Sequence, residues 1–123
     1  MADVITTVGK YAVAEKIGGL GSITDFTYLA LGYDGTTAVV GDTALASEAA
    51  DSGLARAAAT VTTDTADVLQ LVHTWTATAT KVLRECGVLN DASAGVLLAH
   101  SDFNSISVDS DDSIQITYKI TVS

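Results

Sequence analysis

The stretch that most limits what this chain can fold into is its last ten residues, IQITYKITVS. Ile114, Ile116, Tyr118, Ile120 and Val122 fall on one side of an extended backbone. Gln115, Thr117, Lys119, Thr121 and Ser123 fall on the other. Strict period-two alternation of β-branched and aromatic residues marks a half-buried strand. A strand cannot stand alone, so the rest of the chain must supply its neighbours.

The same signal recurs upstream. Residues 22–31, SITDFTYLAL, read as a strand, followed by the turn chemistry of GYDG at 32–35. Residues 36–53 read as one or two helical turns or a long ordered loop. LARAAATVTT (54–63) is strand-like in its second half. DVLQLVHTWTATA (67–79) alternates over a long stretch and ends in a threonine ladder. TKVLRECGVL (80–89) mixes charged and apolar positions, and Gly87 marks a bulge or a close backbone approach. NDASAG (90–95) is a turn, VLLAHSDF (96–103) a short strand, and DSDDS (109–113) a second polar turn. Strands about every ten residues with polar turns between them predict an all-β fold, an antiparallel β-sandwich or a jelly-roll-like barrel. The chain has no proline, a residue often used to blunt sheet edges. Its edges must close by a barrel, by the N-terminal segment or by a neighbouring subunit.

Residues 1–17 follow another rule. Val4, Ile5, Val8, Tyr11, Ala12 and Ile17 lie near helical spacing, and Gly18, Gly19 and Gly21 end the pattern. The division expected is an N-terminal arm or short helix with a Gly hinge (1–21) and a β domain (22–123). The stripe Val4, Ile5, Val8 and Tyr11 is the candidate interface, and the β domain is expected to fold without it.

With 123 residues the chain is one domain. A net charge of −9 argues against a nucleic-acid or anionic-membrane partner. The single Cys86 rules out an internal disulfide, and no run is apolar and long enough to span a bilayer. The N-terminus has no signal-peptide pattern, so synthesis in a cytoplasm is expected.

Each candidate for chemistry has a simpler reading. His73, His100 and Cys86 would need to converge with a carboxylate to hold zinc, and no CxxC, HxH or HExxH assembles them. Asp109, Asp111 and Asp112 lack the glycine and glutamate of a calcium loop and read as a solvated turn. An acid beside Cys86 disfavours its thiolate. GGLG (18–21) lacks the lysine of a phosphate loop, no G-x-S-x-G occurs, and Trp75 reads as core. No catalytic residue, metal or cofactor is expected.

From Phe26 onward the chain resembles small β-sandwich virion proteins of tailed bacterial and archaeal viruses. YLALGYDGTTAVVGDTAL (28–45), LARAAATVT (54–62), RECGVLNDASAGVLLAHSDFNSISV (84–108) and DSIQITYKITVS (112–123) carry the likeness; residues 1–21 lie outside it. The resemblance implies a structural subunit of the particle. The first expectation is a capsid decoration protein on the outside of an icosahedral shell, a homo-oligomer and most simply a trimer, bound to the major capsid protein. The alternatives are a tail, tail-fibre or baseplate subunit that recognises a host surface, or a small carbohydrate- or calcium-binding module. The resemblance further suggests that Ile114–Val122 is a central strand, tied down on both sides.

Overall fold

The structure, a computed structural model, describes residues 2–122; Met1 and Ser123 lie outside the described residues. In chain order the elements are β1 (Asp3–Ile5), α1 (Thr7–Ile17), β2 (Tyr28–Gly32), β3 (Ala57–Ala58), β4 (Thr60–Thr63), β5 (Val68–Thr76), β6 (Lys81–Leu89), β7 (Leu97–Val108) and β8 (Ser113–Thr121). They form an all-β sandwich with a short N-terminal helix. Sheet 1 has the order β1-β7-β6-β2-β3 and sheet 2 the order β4-β5-β8, and every pairing is antiparallel.

The alternation read from the sequence sets the sandwich core. Leu71 and Trp75 of β5 and Ile114 of β8 meet Leu29, Leu31, Cys86 and Val88 of sheet 1. Burying each large apolar side chain contributes about 1.5–3 kcal/mol. The Trp75 indole N–H donates to the Ala55 carbonyl at 2.8 Å, so its one polar atom enters the core satisfied.

Strand β6 breaks the simple alternation. Its pairing with β7 shifts register between Leu83 and Glu85. A bulge of this kind turns later side chains onto the other face. Leu83, Cys86 and Val88 therefore all join the sandwich core. Glu85 and Leu89 point to the opposite face of sheet 1, where Ala30, Leu45, Leu89 and Leu97 form a second cluster. The cover for that face is the chain between β2 and β3, an ordered loop without helix. Gly87 permits the contact: a Cβ there would lie 2.6 Å from Leu45 Cδ1.

Several expectations are corrected. Strand β2 begins only at Tyr28, and β7 runs twelve residues to Val108. The terminal strand β8 is not central. It pairs with β5 alone and forms one edge of sheet 2. Period-two alternation reports which face a residue occupies, and it is silent about how many neighbours the strand has.

The N-terminal stripe splits in two. Val4 and Ile5 lie in β1, paired with His100 and Ala99 at the edge of sheet 1. Helix α1 is capped by Thr6, whose hydroxyl accepts from the Gly9 N–H and donates to the Leu97 carbonyl. The helix turns Gly9 and Ala12 inward, not Val8 and Tyr11. The reason is spacing: a Cβ on Gly9 would sit 2.6 Å from the Leu98 carbonyl oxygen. Only the smallest residues allow so close an approach to β7.

Candidate functional site

Sheet 2 has three strands and sheet 1 has five, so the narrower sheet leaves part of the sandwich interior uncovered. The gap is a groove of about 560 Å³ beside β8. Ile5 of β1, Phe103 of β7, and Ile116, Tyr118 and Ile120 of β8 supply its apolar lining. The Tyr118 hydroxyl crosses its floor to hydrogen-bond Ser101 of sheet 1 at 2.7 Å. Burial raises the Tyr118 phenol above its ordinary value, with the Ser101 hydrogen bond opposing. A second, more apolar hollow of about 710 Å³ adjoins it between α1 and the end of sheet 2, sharing Ile5, Ile120 and Thr121. This surface can seat extended or apolar protein. Its Cys86 is not an activated thiol: burial first, then the charges of Asp3 and Glu85, push it up to about 12, where thiolate is absent at neutral pH.

On the far face of sheet 1 lies a buried charged cluster. His100 Nδ1 is 2.7 Å from Asp42 Oδ2, and Nε2 is 2.8 Å from Glu85 Oε1. Glu85 is wholly buried and also accepts the backbone N–H groups of Asp34, Ala46 and Ser47. A Cβ on Gly32 would lie 2.5 Å from the Glu85 side chain, so Gly32 makes the cradle. The Glu85 hydrogen bond raises the His100 pKa, burial opposes it, and Asp42 adds to the rise. Burial pushes Glu85 and Asp42 up. For Glu85 the His100 contact and the three amides outweigh it; for Asp42 the Val39 N–H and His100 do so. Both carboxyls end below their ordinary values. Beside them Asp102 is held low, first by the Ala38 N–H. When protonated, His100 donates from both ring nitrogens and clamps the two carboxylates. The arrangement ties the 33–48 loop to sheet 1.

A pH dependence follows with a defined sign. The His100 contribution is complete below its ordinary value of 6.5 and is lost as pH rises through the raised folded value. The carboxylate contributions are complete above the ordinary 4.5 of Glu85 and 3.8 of Asp42, and are lost as pH falls through the lowered folded values. Stability is therefore expected to be highest between these limits, about pH 4.5 to 6.5. Urea unfolding across pH checks this, and His100→Gln should abolish the fall that sets in above pH 6.5 while leaving the separate loss above about pH 9, where burial disfavours ionised Cys86 and Tyr118. A fall between about pH 6.5 and 9 that persists in the variant contradicts the assignment. Asp34, Asp51 and Asp102 are also held low and share the acid side.

The four residues read from the sequence as an interface are not brought together. Val4 and Ile5 line the groove, whereas Val8 and Tyr11 are exposed on α1. His73 stacks edge-on against Trp75, 4.6 Å between centroids, far in role from His100. The Asp109–Asp112 segment is a turn closed by its own hydrogen bonds. Among the described residues no group of three or more His, Cys, Asp and Glu side chains is placed to hold a metal ion. No protein-family model matches the chain, and no curated protein is significantly similar to it. Sequence reasoning missed Asp42, Glu85 and Asp102, and took His100 for an ordinary strand residue. The one available signal was a glutamate leading directly into the apolar run of residues 86–89.

Proposed function

We propose that this protein is a structural subunit of a tailed-virus particle, a capsid decoration protein that binds the outside of an icosahedral shell through the major capsid protein. The observation that carries this reading is the outward face of α1. Tyr11 is 70% and Ile17 84% exposed, with Leu20 beyond the helix and Val39 and Val40 of the neighbouring loop also exposed. The Thr7 N–H donates to the Val40 carbonyl at 2.7 Å, which ties this loop to the first turn of the helix. On a chain of net charge −9, large apolar side chains exposed on the helix and on the loop tied to it favour a surface that protein covers. The fold supports a building block: a sandwich core, a helix docked through small residues, and polar clusters committed to holding a loop. The tail-tip alternative draws no support from the aromatics, since the Tyr33 hydroxyl bonds Asp51 at 2.5 Å beneath Lys81, and Trp75 is buried.

Binding of purified protein to particles that lack it tests the reading, with electron microscopy to locate the added density. The expected result is density on the outer shell and at least roughly tenfold weaker binding by Tyr11→Glu/Ile17→Glu, because two apolar anchors are lost. The variant should melt like the parent, since both side chains are exposed. Density on the tail, or undiminished binding by the variant, would overturn it.

A further inference from the structure

Four strands lie at sheet edges among the described residues: β1, β3, β4 and β8. Three of them are short, with three, two and four residues. Short edges are one means by which proteins avoid unwanted strand pairing. The fourth, β8, is nine residues long and pairs with β5 in an unbroken register from Thr121 to Ser113. It has no bulge, no proline and no carboxylate between Ile114 and Val122, in a chain carrying 15 acidic residues. Its one charge, Lys119, is drawn aside to Asp64 at 3.0 Å.

The hydrogen bonds fix which groups of β8 are unpaired by strand. The Val122 N–H donates to the Asp67 carbonyl, and the Ala77 N–H donates to that of Asp112. Narrow and wide pairs alternate along an antiparallel ladder. Even-numbered residues of β8 therefore turn their backbone groups toward β5. Ser113, Gln115, Thr117, Lys119 and Thr121 turn theirs toward the open side.

We infer that β8 pairs antiparallel with β8 of a second copy of this chain, about a two-fold axis at Thr117. This register satisfies three independent conditions. The outward-pointing residues meet one another: Thr117 faces Thr117, Gln115 faces Lys119, and Ser113 faces Thr121. They make five narrow pairs and about ten backbone hydrogen bonds. Inward side chains stay inward, so Ile114 faces Ile120 and Ile116 faces Tyr118. No like charges stand opposed, because each Lys119 faces a glutamine. The pairing joins two three-stranded sheets into one of six. It also sets partner side chains beside Ile116, Tyr118 and Ile120, which are half-buried in a single copy. A two-fold contact uses one self-complementary edge. A three-fold ring, as expected from the sequence, would need a second long edge to receive β8, and the other three edges are short.

This inference stands apart from the virion reading, because it is tested on the purified chain with no particle present. Sedimentation equilibrium over the micromolar range should show a dimer. Thr117→Pro removes an outward N–H without touching the β5 ladder and should weaken the dimer by roughly tenfold or more. Thr117→Lys sets two cations on the axis and should weaken it too, with the fold kept, since Thr117 is exposed. If the proline variant fails to fold, the lysine variant decides. A parent chain that stays monomeric, a trimer, or a dimer that Thr117→Lys leaves unchanged overturns the proposal.

Discussion

Glu85→Ala is expected to lower stability by about 3–5 kcal/mol, because removing one partner of a buried ion pair leaves the other charge uncompensated. For a domain of this size that corresponds to a fall in Tm of roughly 10–20 °C. His100 would be left 2% exposed with Asp42 as its remaining side-chain partner. The amides of Asp34, Ala46 and Ser47 would lose their acceptor. The damage should be local before it is global. Hydrogen exchange at those three amides should rise well ahead of exchange in β5 and β8, which the cluster does not touch. Asp42→Ala should cost less, since the Asp42 side chain is 24% exposed and water can take its place at the rim. A Glu85→Ala melt within a few degrees of the parent would show that His100 is neutral and the clamp uncharged.

Deleting residues 1–17 is expected to abolish cooperative unfolding. The sequence alone favours a dispensable arm, and the structure leads to the opposite expectation. Removal strips β1 from Ala99, His100 and Ser101 of β7. It also removes the buried Thr6, which donates its backbone N–H to Leu98 and its hydroxyl to Leu97. Ala12, part of the sandwich core, goes with it. The Ala2 N–H contact to Asp102 of β7 is lost as well, and with the Thr7 contact to Val40 the loop over the second cluster loses one of its supports. Circular dichroism and a thermal melt of the truncated chain would decide. A sharp transition close to that of the full chain would show that β1 and α1 are appended to an independently stable sandwich.

The face of α1 proposed to bind a particle and the edge of β8 proposed to pair lie on different elements, so the two proposals can fail separately. Tyr11→Glu/Ile17→Glu should leave the oligomeric state unchanged, and Thr117→Lys should leave the α1 patch intact.

Local pattern was enough to place β5 and β8, because each alternates without interruption and the side chains on one face are nearly all apolar. It was enough for the turns at 90–95 and 109–113, where small and acidic residues cluster. The all-β class follows from those facts. Strand β6 was less legible. A bulge beside Arg84 puts Leu83, Cys86 and Val88 on one face, so no single period fits LRECGV. Gly87 could be marked as a special position, but that it admits Leu45 required knowing which loop lies above it. An arm or a short helix was expected at the N-terminus, and apolar spacing grouped Val8, Tyr11 and Ala12, of which only Ala12 turns inward; spacing cannot say that a neighbouring backbone will come too close for anything larger than Gly9. The clamp of Asp42, Glu85 and His100 joins residues up to 58 positions apart. Each alone looks like any polar residue facing water, and only the loop folded over sheet 1 removes that water. Edge position is likewise a tertiary fact. The sequence by itself determined that Ile114–Val122 is a strand with one dry face; the unequal width of the two sheets decided that one side of it was left open.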